Sequence, residues 1–241
     1  MTKKTWFESW FDSPYYHILY ADRDFKEARD FIDKLAHHLS FPKGASLLDV
    51  ACGRGRHAKH LNQLGYDVIG IDLSKQSIDY AKKYENETLH FEQHDMRISL
   101  NKSFDGVLNL FTSFGYFEQD DDNQRVLRAF RNQLRPGGVG VIDFLNTPWV
   151  AKNLVPDETV VKEGISFDIK RHIDKRWITK EISFETDQTK YQFKEQVRAL
   201  KLEDFENWFE NVGLKIKVIY GDYRLSDYNP LSSNRLIMIV Q

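Results

Sequence analysis

The feature that most constrains the fold is a compact βαβ unit in the first third of the chain. Residues 47–50 form an apolar run that predicts a buried strand, and Gly53 and Gly55 predict a sharp turn into a helix. Residues 67–71 predict a parallel return strand that ends at Asp72. Asp72 follows Gly53 by nineteen residues, close to the spacing at which an acidic side chain meets the hydroxyls of a ribose.

The glycine turn alone leaves open which nucleotide derivative binds there. Gly53 to Ala58 satisfies the G-x-G-x-x-G/A pattern of dinucleotide-binding proteins. Asp49, four residues before Gly53, argues against a dinucleotide because its carboxylate would repel a doubly anionic pyrophosphate. S-adenosylmethionine has no phosphate, and its cationic amino group and sulfonium would be attracted to the same carboxylate. We therefore predict S-adenosylmethionine as the cofactor.

Composition limits the classes of partner. The 241 residues carry a formal net charge of −2, and no cluster of Lys and Arg interleaved with aromatic residues lies outside one strand-rich region. We expect a small-molecule substrate, no nucleic acid and no membrane, since no run approaches about eighteen consecutive apolar residues. Cys52 is the only cysteine, which excludes an internal disulfide, and the polar start at Met1 favours a cytoplasmic protein. The oligomeric state stays open between monomer and homodimer.

Alternating patterns predict an α/β fold with a doubly wound, mostly parallel, seven-stranded Rossmann-like sheet. Its strands are predicted at 47–50, 67–71, 88–93, 105–110, 139–144, 214–220 and 234–240. The helices between them are predicted at 24–39, 57–64, 74–84, 121–134 and 202–212.

Between the fifth strand and the last helix, alternating Val, Ile, Phe and Thr predict an antiparallel β insertion. Its strands are predicted at 158–163, 166–173, 176–186 and 189–199. We expect an insertion rather than a second domain with its own core. The chain then divides into an aromatic N-terminal segment with a helix (1–44), a cofactor-binding domain (45–146 and 200–241) and the insertion (147–199).

Four motifs in register resemble the Rossmann-like, or class I, S-adenosylmethionine-dependent methyltransferases over residues 45 to 241. They are Asp49 to Gly55, with Ala51 where many members have glycine, then Asp72, Asp95 of His94-Asp95-Met96, and Arg135-Pro136-Gly137-Gly138. The insertion, Asn109 to Phe117 and Ser13 to His17 look like a bacterial branch of small-molecule methyltransferases. That branch is similar to sugar-amine and glycine N-methyltransferases, in which such an insertion covers the substrate.

The resemblance implies an enzyme that transfers a methyl group in line to a small-molecule amine or hydroxyl. The predicted cofactor-binding residues are Asp49, Ala51, Gly53, Gly55, Arg56, His57, Asp72, Leu73, Asp95, Met96, Asn109, Leu110 and Phe111. Asp72 would bind the ribose and Asp95 the adenine amine, although either could instead cap a turn. Arg56 and His57 begin a helix, where a positive side chain opposes the dipole, so they either face the methionine carboxylate or are solvated.

The substrate is expected beside the cofactor, beyond the fourth strand. Predicted substrate-binding residues are Tyr16, Tyr20, Ser113, Phe114, Tyr116 and Arg171. Tyr116, His17 or solvent could take the proton of an amine, and the residues do not rank them. The aromatic opening could be a lid or could simply pack into the core.

Other reactive residue types have simpler explanations. Cys52 in a tight turn is expected to be a small buried hydrophobic residue, and Asp120 to Asp122 to complement a helix dipole, so no metal is predicted. Basic residues of the insertion form a solvated sheet face or meet an anionic group of the substrate. The alternative function is a non-catalytic S-adenosylmethionine sensor or partner protein, which would keep the three carboxylates without a second pocket.

Overall fold

The computed structural model describes residues 5–21 and 25–241. Its helices are α1 (Trp6–Phe11), α2 (Pro14–Leu19), α3 (Phe25–Leu39), α4 (Arg56–Gln63), α5 (Lys75–Ala81), α6 (Asp120–Asn132), α7 (Thr147–Asn153) and α8 (Leu202–Val212), with a 3-10 turn at Lys82–Tyr84. Its strands are β1 (Ser46–Val50), β2 (Asp67–Asp72), β3 (Leu89–Gln93), β4 (Phe104–Asn109), β5 (Leu134–Leu145), β6 (Asp157–Lys162), β7 (Ile165–Ile173), β8 (Trp177–Thr186), β9 (Thr189–Arg198), β10 (Ile216–Tyr220) and β11 (Arg235–Val240). The predicted helix start at Asp24 and the polar start at residues 1–4 lie outside the described residues.

Seven strands form the central sheet, in the order β10-β11-β5-β4-β1-β2-β3. The five strands from β3 to β5 run parallel, and β11 is antiparallel to both of its neighbours. This arrangement confirms the predicted fold class. The chain first builds outward through β2 and β3 and then returns to the other side of β1, so a crevice opens between β1 and β4 at the carboxyl edge of the sheet.

The sheet is buried on both faces because helices cover each side. Phe31 of α3 and Leu61 of α4 belong to an apolar cluster on one face, and Phe130 of α6 belongs to a cluster on the other. Gly70 in β2 has a local reason to be glycine, since a Cβ atom there would lie 2.7 Å from the Phe91 ring. The close packing of β2 against β3 therefore fixes the strand from which Asp72 projects.

The insertion is a separate four-stranded antiparallel sheet in the order β6-β7-β8-β9. It is preceded by α7, which the sequence pattern did not predict. The helix is only 7 residues long and has proline in its first turn, so it shows too little periodicity to be recognised. Its position is set by tertiary contacts, since the Asn146 amide donates hydrogen bonds to the carbonyl oxygens of Pro230 and Ser233.

The insertion sheet shares its apolar core with the N-terminal helices. A third apolar cluster joins one face of the insertion sheet, including Phe167 and Ile182, to Trp10 and Leu19 of the N-terminal helices. Trp10 is fully buried, and its ring centroid lies 4.4 Å from that of Phe193. Alternating apolar residues give the sheet a face that must be covered, and α1 and α2 cover it.

Polar contacts fasten the N-terminal helices at two points. The Trp10 indole and the Tyr20 hydroxyl both donate to Oε1 of Glu195 on β9, at 2.5 Å and 2.6 Å. Asp12 accepts a hydrogen bond from the hydroxyl of Ser74, two residues beyond Asp72. The segment 5–21 therefore contacts both the insertion and the carboxyl edge of the central sheet.

Within the described residues, none of the helices combines the length and the apolar character that a membrane crossing requires.

The packing of Trp10 predicts that the Trp10→Ala variant is destabilised by about 3–5 kcal/mol, because a large buried aromatic side chain and its contacts are lost. Urea unfolding measures the change. Leu231→Ala is the control, since Leu231 is 75% exposed and should unfold like the wild type. Equal unfolding midpoints for the two variants would show that α1 does not depend on this contact.

Candidate active site

The loop between β1 and α4 follows a left-handed backbone path. Ala51, Gly53 and Gly55 have φ angles of 59°, 55° and 77°. Gly55 is the residue that precedes α4, and a Cβ atom there would lie 2.6 Å from the Phe91 ring. Ala51, the departure from the family pattern, adopts the left-handed conformation despite its side chain. The loop thus places the backbone of its glycine residues at the crevice beside β1.

Asp49 is a buried carboxylate with little positive charge around it. It is 1% exposed, and its Oδ2 atom accepts a hydrogen bond from the backbone of Ala58 at 3.1 Å. Burial raises the pKa of Asp49 to about 7, and nearby Asp72 adds to the rise, while the Ala58 N–H and the charge of Arg56 oppose it. A carboxylate in this state is stabilised in its ionised form by a cationic ligand.

Asp72 holds the glycine loop and the start of α5 together. Its two carboxylate oxygens accept the backbone N–H groups of Gly53 and Ser74, each at 2.8 Å. Ser74 itself caps α5 through Ser77. A carboxylate offers about four lone-pair sites, so Asp72 can accept a hydroxyl donor besides these backbone groups. Burial raises the pKa of Asp72, although its backbone hydrogen bonds oppose the rise. Leu73, the next residue, is 37% exposed.

Asp95 follows β3 and is committed to a local ion pair. Its carboxylate accepts the backbone N–H of Arg97 at 2.9 Å and pairs with the Arg97 guanidinium at 2.6 Å. Burial opposes ionisation of Asp95, but the hydrogen bonds and charge of Arg97 outweigh it and lower its pKa. Asp95 therefore caps the turn after β3, which was one of the two roles expected for it. Adenine recognition by Asp95 stays a prediction. Met96 packs partly buried against the second apolar cluster.

The segment after β4 carries further predicted residues. Asn109 donates to the Val50 carbonyl at 3.0 Å, and its buried Oδ1 atom has no hydrogen-bond partner among the described residues. The Leu110 side chain is buried in the first apolar cluster and so points away from the crevice. Phe111 and Thr112 both have left-handed backbones, with φ angles of 58° and 60°. Two consecutive residues of this kind mark a strained turn at the crevice.

His57 is uncharged, which corrects one premise of the sequence analysis. Its ring is 7% exposed and stacks on Phe111, with centroids 4.6 Å apart. Burial and the charge of Arg56 lower the pKa of His57 to about 3. The Arg56 guanidinium lies 3.2 Å from Nε2 of His57, and its carbon is 4.7 Å from the centre of the Phe111 ring. Only Arg56 can supply a positive charge here, and its role toward a methionine carboxylate stays a prediction.

Tyr116 lies where the β4 segment meets the N-terminal helices. Its hydroxyl donates to the Thr112 carbonyl, and its ring centroid is 5.3 Å from Trp6 and 5.6 Å from Phe11. Phe7 also packs on it. The predicted space for a substrate beside Tyr116 is therefore filled by the chain's own aromatic side chains. Two clefts of about 310 and 260 Å³ lie elsewhere, beside α8 and α7.

The structure brings some of the predicted substrate residues together. Tyr16 packs on Phe11 at 5.0 Å, His17 packs edge-on against Tyr16 at 5.2 Å, and Tyr20 lies 4.9 Å from Tyr16. These side chains continue the aromatic group around Tyr116. The Ser113 hydroxyl bonds the Leu110 carbonyl and so stays within the turn.

Two predicted substrate residues are placed differently. Phe114 is 1% exposed and packs on Phe205 inside the second apolar cluster, so it is a core residue rather than a ligand contact. Arg171 pairs with Glu158 at 2.5 Å beside α7. Its cross-strand neighbour Lys180 is the basic residue that reaches the Tyr20 hydroxyl, at 2.5 Å. The pattern of basic residues on alternate positions cannot distinguish these two.

The remaining reactive residue types have local partners. Cys52 is buried in the first apolar cluster, and burial raises its pKa. The three acids that begin α6 each pair with arginine: Asp120 with Arg198, Asp121 with Arg128, and Asp122 with Arg97 and Arg125. Among residues 5–21 and 25–241, no group of three or more His, Cys, Asp or Glu side chains is arranged to hold a metal ion.

Sequence reasoning missed the residues that support the β4 turn. Asp143 is fully buried and pairs with Arg235 at 2.7 Å, and Tyr223 stacks on Phe111 at 4.9 Å. The sequence does carry one signal, since Asp143 is the only charged residue in the apolar run 139–145. A lone charge in a buried strand requires a partner, but the partner lies 92 residues away.

The class of protein follows from the fold and from a family match. A family described as a methyltransferase domain matches residues 47–138, from β1 to the start of β5. Residues 47–138 are therefore similar to a methyltransferase domain, which confirms the resemblance to the Rossmann-like, S-adenosylmethionine-dependent methyltransferases and the predicted cofactor.

Similar proteins add detail. The chain is 36% identical over 125 residues, 51% of its length, to a dTDP-3-amino-3,4,6-trideoxy-alpha-D-glucopyranose N,N-dimethyltransferase of Streptomyces venezuelae, of which 49% is covered. The chain thus spans about half the length of the first curated relatives it matches.

Solved structures extend the likeness in fold to nearly the whole chain. An S-adenosylmethionine-dependent methyltransferase from Clostridium acetobutylicum superposes with a TM-score of 0.77 at 22% identity, covering 94% of this chain and 95% of that one. The sugar N-methyltransferase KedS8 from Streptoalloteichus gives 0.72 at 23% identity, covering 93% and 92%. At these identities the likeness shows a shared fold over most of the chain.

The described residues suit the cofactor. The charge of Arg56 offsets only part of the effect of burial on Asp49, and the cofactor carries cationic groups. The orphaned Oδ1 atom of Asn109 requires a donor at the same crevice. Asp49 and Asp72 lie on adjacent parallel strands, and β4 with Asn109 lies on the other side of β1.

The raised pKa of Asp49 predicts that cofactor binding strengthens with pH. A cation stabilises the ionised carboxylate, so binding releases a proton, and affinity for S-adenosylmethionine should rise about tenfold or more from about pH 5.5 to about pH 7.5. Calorimetry across this range measures it. Asp49→Asn should lose the dependence and Asp67→Asn, an exposed control, should keep it. An unchanged slope in Asp49→Asn would show that another group titrates.

The contacts of Asp72 predict how much this residue contributes to the free energy of cofactor binding. Asp72→Asn removes a charged acceptor at the edge of the glycine loop and should weaken S-adenosylmethionine binding by about 1–3 kcal/mol. Asp79→Asn is the matched control, since Asp79 is exposed and pairs with Lys75. Calorimetry that gives the two variants equal affinities would remove Asp72 from the cofactor site.

Proposed function

We propose that the chain is an S-adenosylmethionine-dependent N-methyltransferase that acts on a small-molecule amine, with amino sugars as the favoured class. The observation that carries the proposal is the 36% identity to a sugar N,N-dimethyltransferase across 125 residues. The geometry adds a crevice with buried carboxylates on one side and an aromatic cover on the other. A hydroxyl acceptor, open from the sequence alone, is the less supported choice because the first curated relatives modify amines.

The reaction requires alignment more than reactive side chains. The cofactor supplies a methyl group already activated on a sulfonium. Asp72 and the glycine loop orient the cofactor, and Asp49 holds a carboxylate toward its cationic part. Trp6, Phe7 and the neighbouring aromatic residues exclude water from the segment after β4. The chain's own contribution is therefore a fixed, dry site.

Tyr116 is proposed to orient the acceptor amine. Its hydroxyl donates to the Thr112 carbonyl at the turn after β4, and a phenolic oxygen is chemically able to accept an amine N–H as well. His17, on the same aromatic group, or solvent takes the proton that the amine loses. Both roles rest on position at the end of β4 and on the cover that surrounds them.

The acceptor is proposed to enter by displacing the N-terminal helices. These helices fill the space beside Tyr116, and their polar attachments include the bonds to Glu195, Ser74 and Lys180. A lid of this kind admits the substrate when it opens and excludes water when it closes. The insertion forms the opposite wall. We propose a cytoplasmic protein, a monomer or homodimer, that acts on the free small molecule.

A methyl-transfer assay tests the proposal. The protein is incubated with methyl-labelled S-adenosylmethionine and, in parallel, a nucleotide-linked amino sugar, a free amino sugar, glycine, and the corresponding nucleotide sugar with a hydroxyl in place of the amine. We expect label on an amino sugar and none on its hydroxyl counterpart. Cofactor binding without transfer to any acceptor would instead support the non-catalytic sensor or partner protein.

The role of Tyr116 predicts a specific kinetic change. Tyr116→Phe should lower kcat about 10–100-fold, because the amine loses its acceptor. The Thr112 carbonyl also loses a donor, but the ring and its aromatic contacts remain, so S-adenosylmethionine affinity should stay within about twofold. Tyr66→Phe is the matched control, since Tyr66 packs in the first apolar cluster near α4. Equal kcat values for the two variants would place the amine elsewhere.

A further inference from the structure

The turn after β4 holds a conformation that its residues do not favour. Phe111 and Thr112 have φ angles of 58° and 60°, in the left-handed region that suits glycine. Thr112 is β-branched, which makes this conformation more costly still. Such strain persists only where surrounding contacts over-determine the backbone. Several of the contacts that do so here involve one buried side chain and its own backbone.

That side chain is Asp143, near the end of β5. Its Oδ2 atom accepts the backbone N–H of Phe111 at 2.9 Å, and its own carbonyl accepts the N–H of Thr112 at 3.3 Å. Its Oδ1 atom pairs with Arg235 on the neighbouring strand β11, at 2.7 Å. The same guanidinium donates to the Thr112 hydroxyl at 2.7 Å. Both strained residues are therefore held by one carboxylate and one guanidinium.

Tyr223, which follows β10, adds further support to the turn. Its hydroxyl donates to Asp143 at 3.2 Å, and its ring stacks on Phe111 at an angle of 23°. The Phe111 ring also stacks on His57, at the same angle. His57 lies in the first turn of α4, immediately after the glycine loop. A continuous row of contacts thus joins the buried ion pair to the cofactor loop.

We propose that the Asp143–Arg235 pair is a positioning device for the cofactor cavity. It holds the turn at Phe111 and Thr112 left-handed, so that the Phe111 ring packs against His57 and closes the wall beside the glycine loop. The Thr112 carbonyl, fixed by the same contacts, receives the Tyr116 hydroxyl. Asp143 and Arg235 act through this turn. The role rests on cofactor binding and not on which acceptor is methylated.

A buried ion pair could instead serve stability alone, and glycine rescue separates the two roles. Arg235→Lys keeps a positive charge but loses the planar fork that reaches both Asp143 and Thr112. We expect it to weaken S-adenosylmethionine binding about tenfold or more by calorimetry. Adding Thr112→Gly supplies a residue that adopts the left-handed backbone readily, so the double variant should recover most of the affinity.

A surface ion pair provides the control. Arg135 bonds both carboxylate oxygens of Asp105 at 2.9 Å, outside the crevice, and Arg135→Lys should leave cofactor affinity within about twofold of the wild type. Cofactor affinity in Arg235→Lys equal to that in Arg135→Lys would overturn the proposal. So would a loss of affinity that Thr112→Gly does not reverse, since the pair would then be a general structural element.

A second variant covers the case in which Arg235→Lys does not fold. Tyr223→Leu keeps an apolar side chain over Phe111 but loses the ring stack and the hydroxyl that bonds Asp143. We expect affinity to fall about threefold or more, with recovery on addition of Thr112→Gly. Wild-type affinity in Tyr223→Leu would overturn the proposal. A wild-type protein that binds no S-adenosylmethionine would be a different result, because it would refute the cofactor site itself.

Discussion

Buried carboxylates at the carboxyl edge of the parallel sheet are the interactions on which the crevice depends. Asp72 and Asp143 accept backbone N–H groups from loops that cross this edge, and Asp49 accepts one from Ala58 in the first turn of α4. Burying a charge is costly, and these hydrogen bonds offset only part of the cost. At Asp143, Arg235 supplies the balancing charge. Among the described residues, Asp49 has no comparable partner. One edge of the sheet therefore carries both a carboxylate in an ion pair, Asp143, and a carboxylate suited to a cationic ligand, Asp49.

Much of the fold could be predicted because its signals are local. Alternation of strands and helices, the glycine turn and the helix at 202–212 depend on residues close in sequence. The uncharged state of His57 could not be predicted from the sequence. It depends on burial against Phe111, which contacts His57 only in the folded chain. Arg235 and Asp143 meet for the same reason. The short helix at Thr147–Asn153 was missed because contacts of Asn146 with distant carbonyl groups place it.

The substrate side was harder to predict than the cofactor side. Cofactor residues follow parallel strands at regular spacing, so their common location at one edge follows from topology. The cover is made from two segments that are far apart in the sequence. Alternation alone does not say which basic residue faces the aromatic group. Lys180 contacts Tyr20, whereas Arg171 turns to Glu158. The aromatic opening proved to be the missing half of the core of the insertion.

The construction of the cover has an evolutionary consequence. The inner face of the insertion and the N-terminal helices are complementary through Trp10, Phe193 and Glu195. The cofactor edge uses separate strands and loops. Substitutions that reshape the cover must therefore be accepted in pairs, one in each segment, while the cofactor edge stays unchanged. Descendants of such a chain could diverge in the metabolites they modify through linked changes at two distant stretches of the gene.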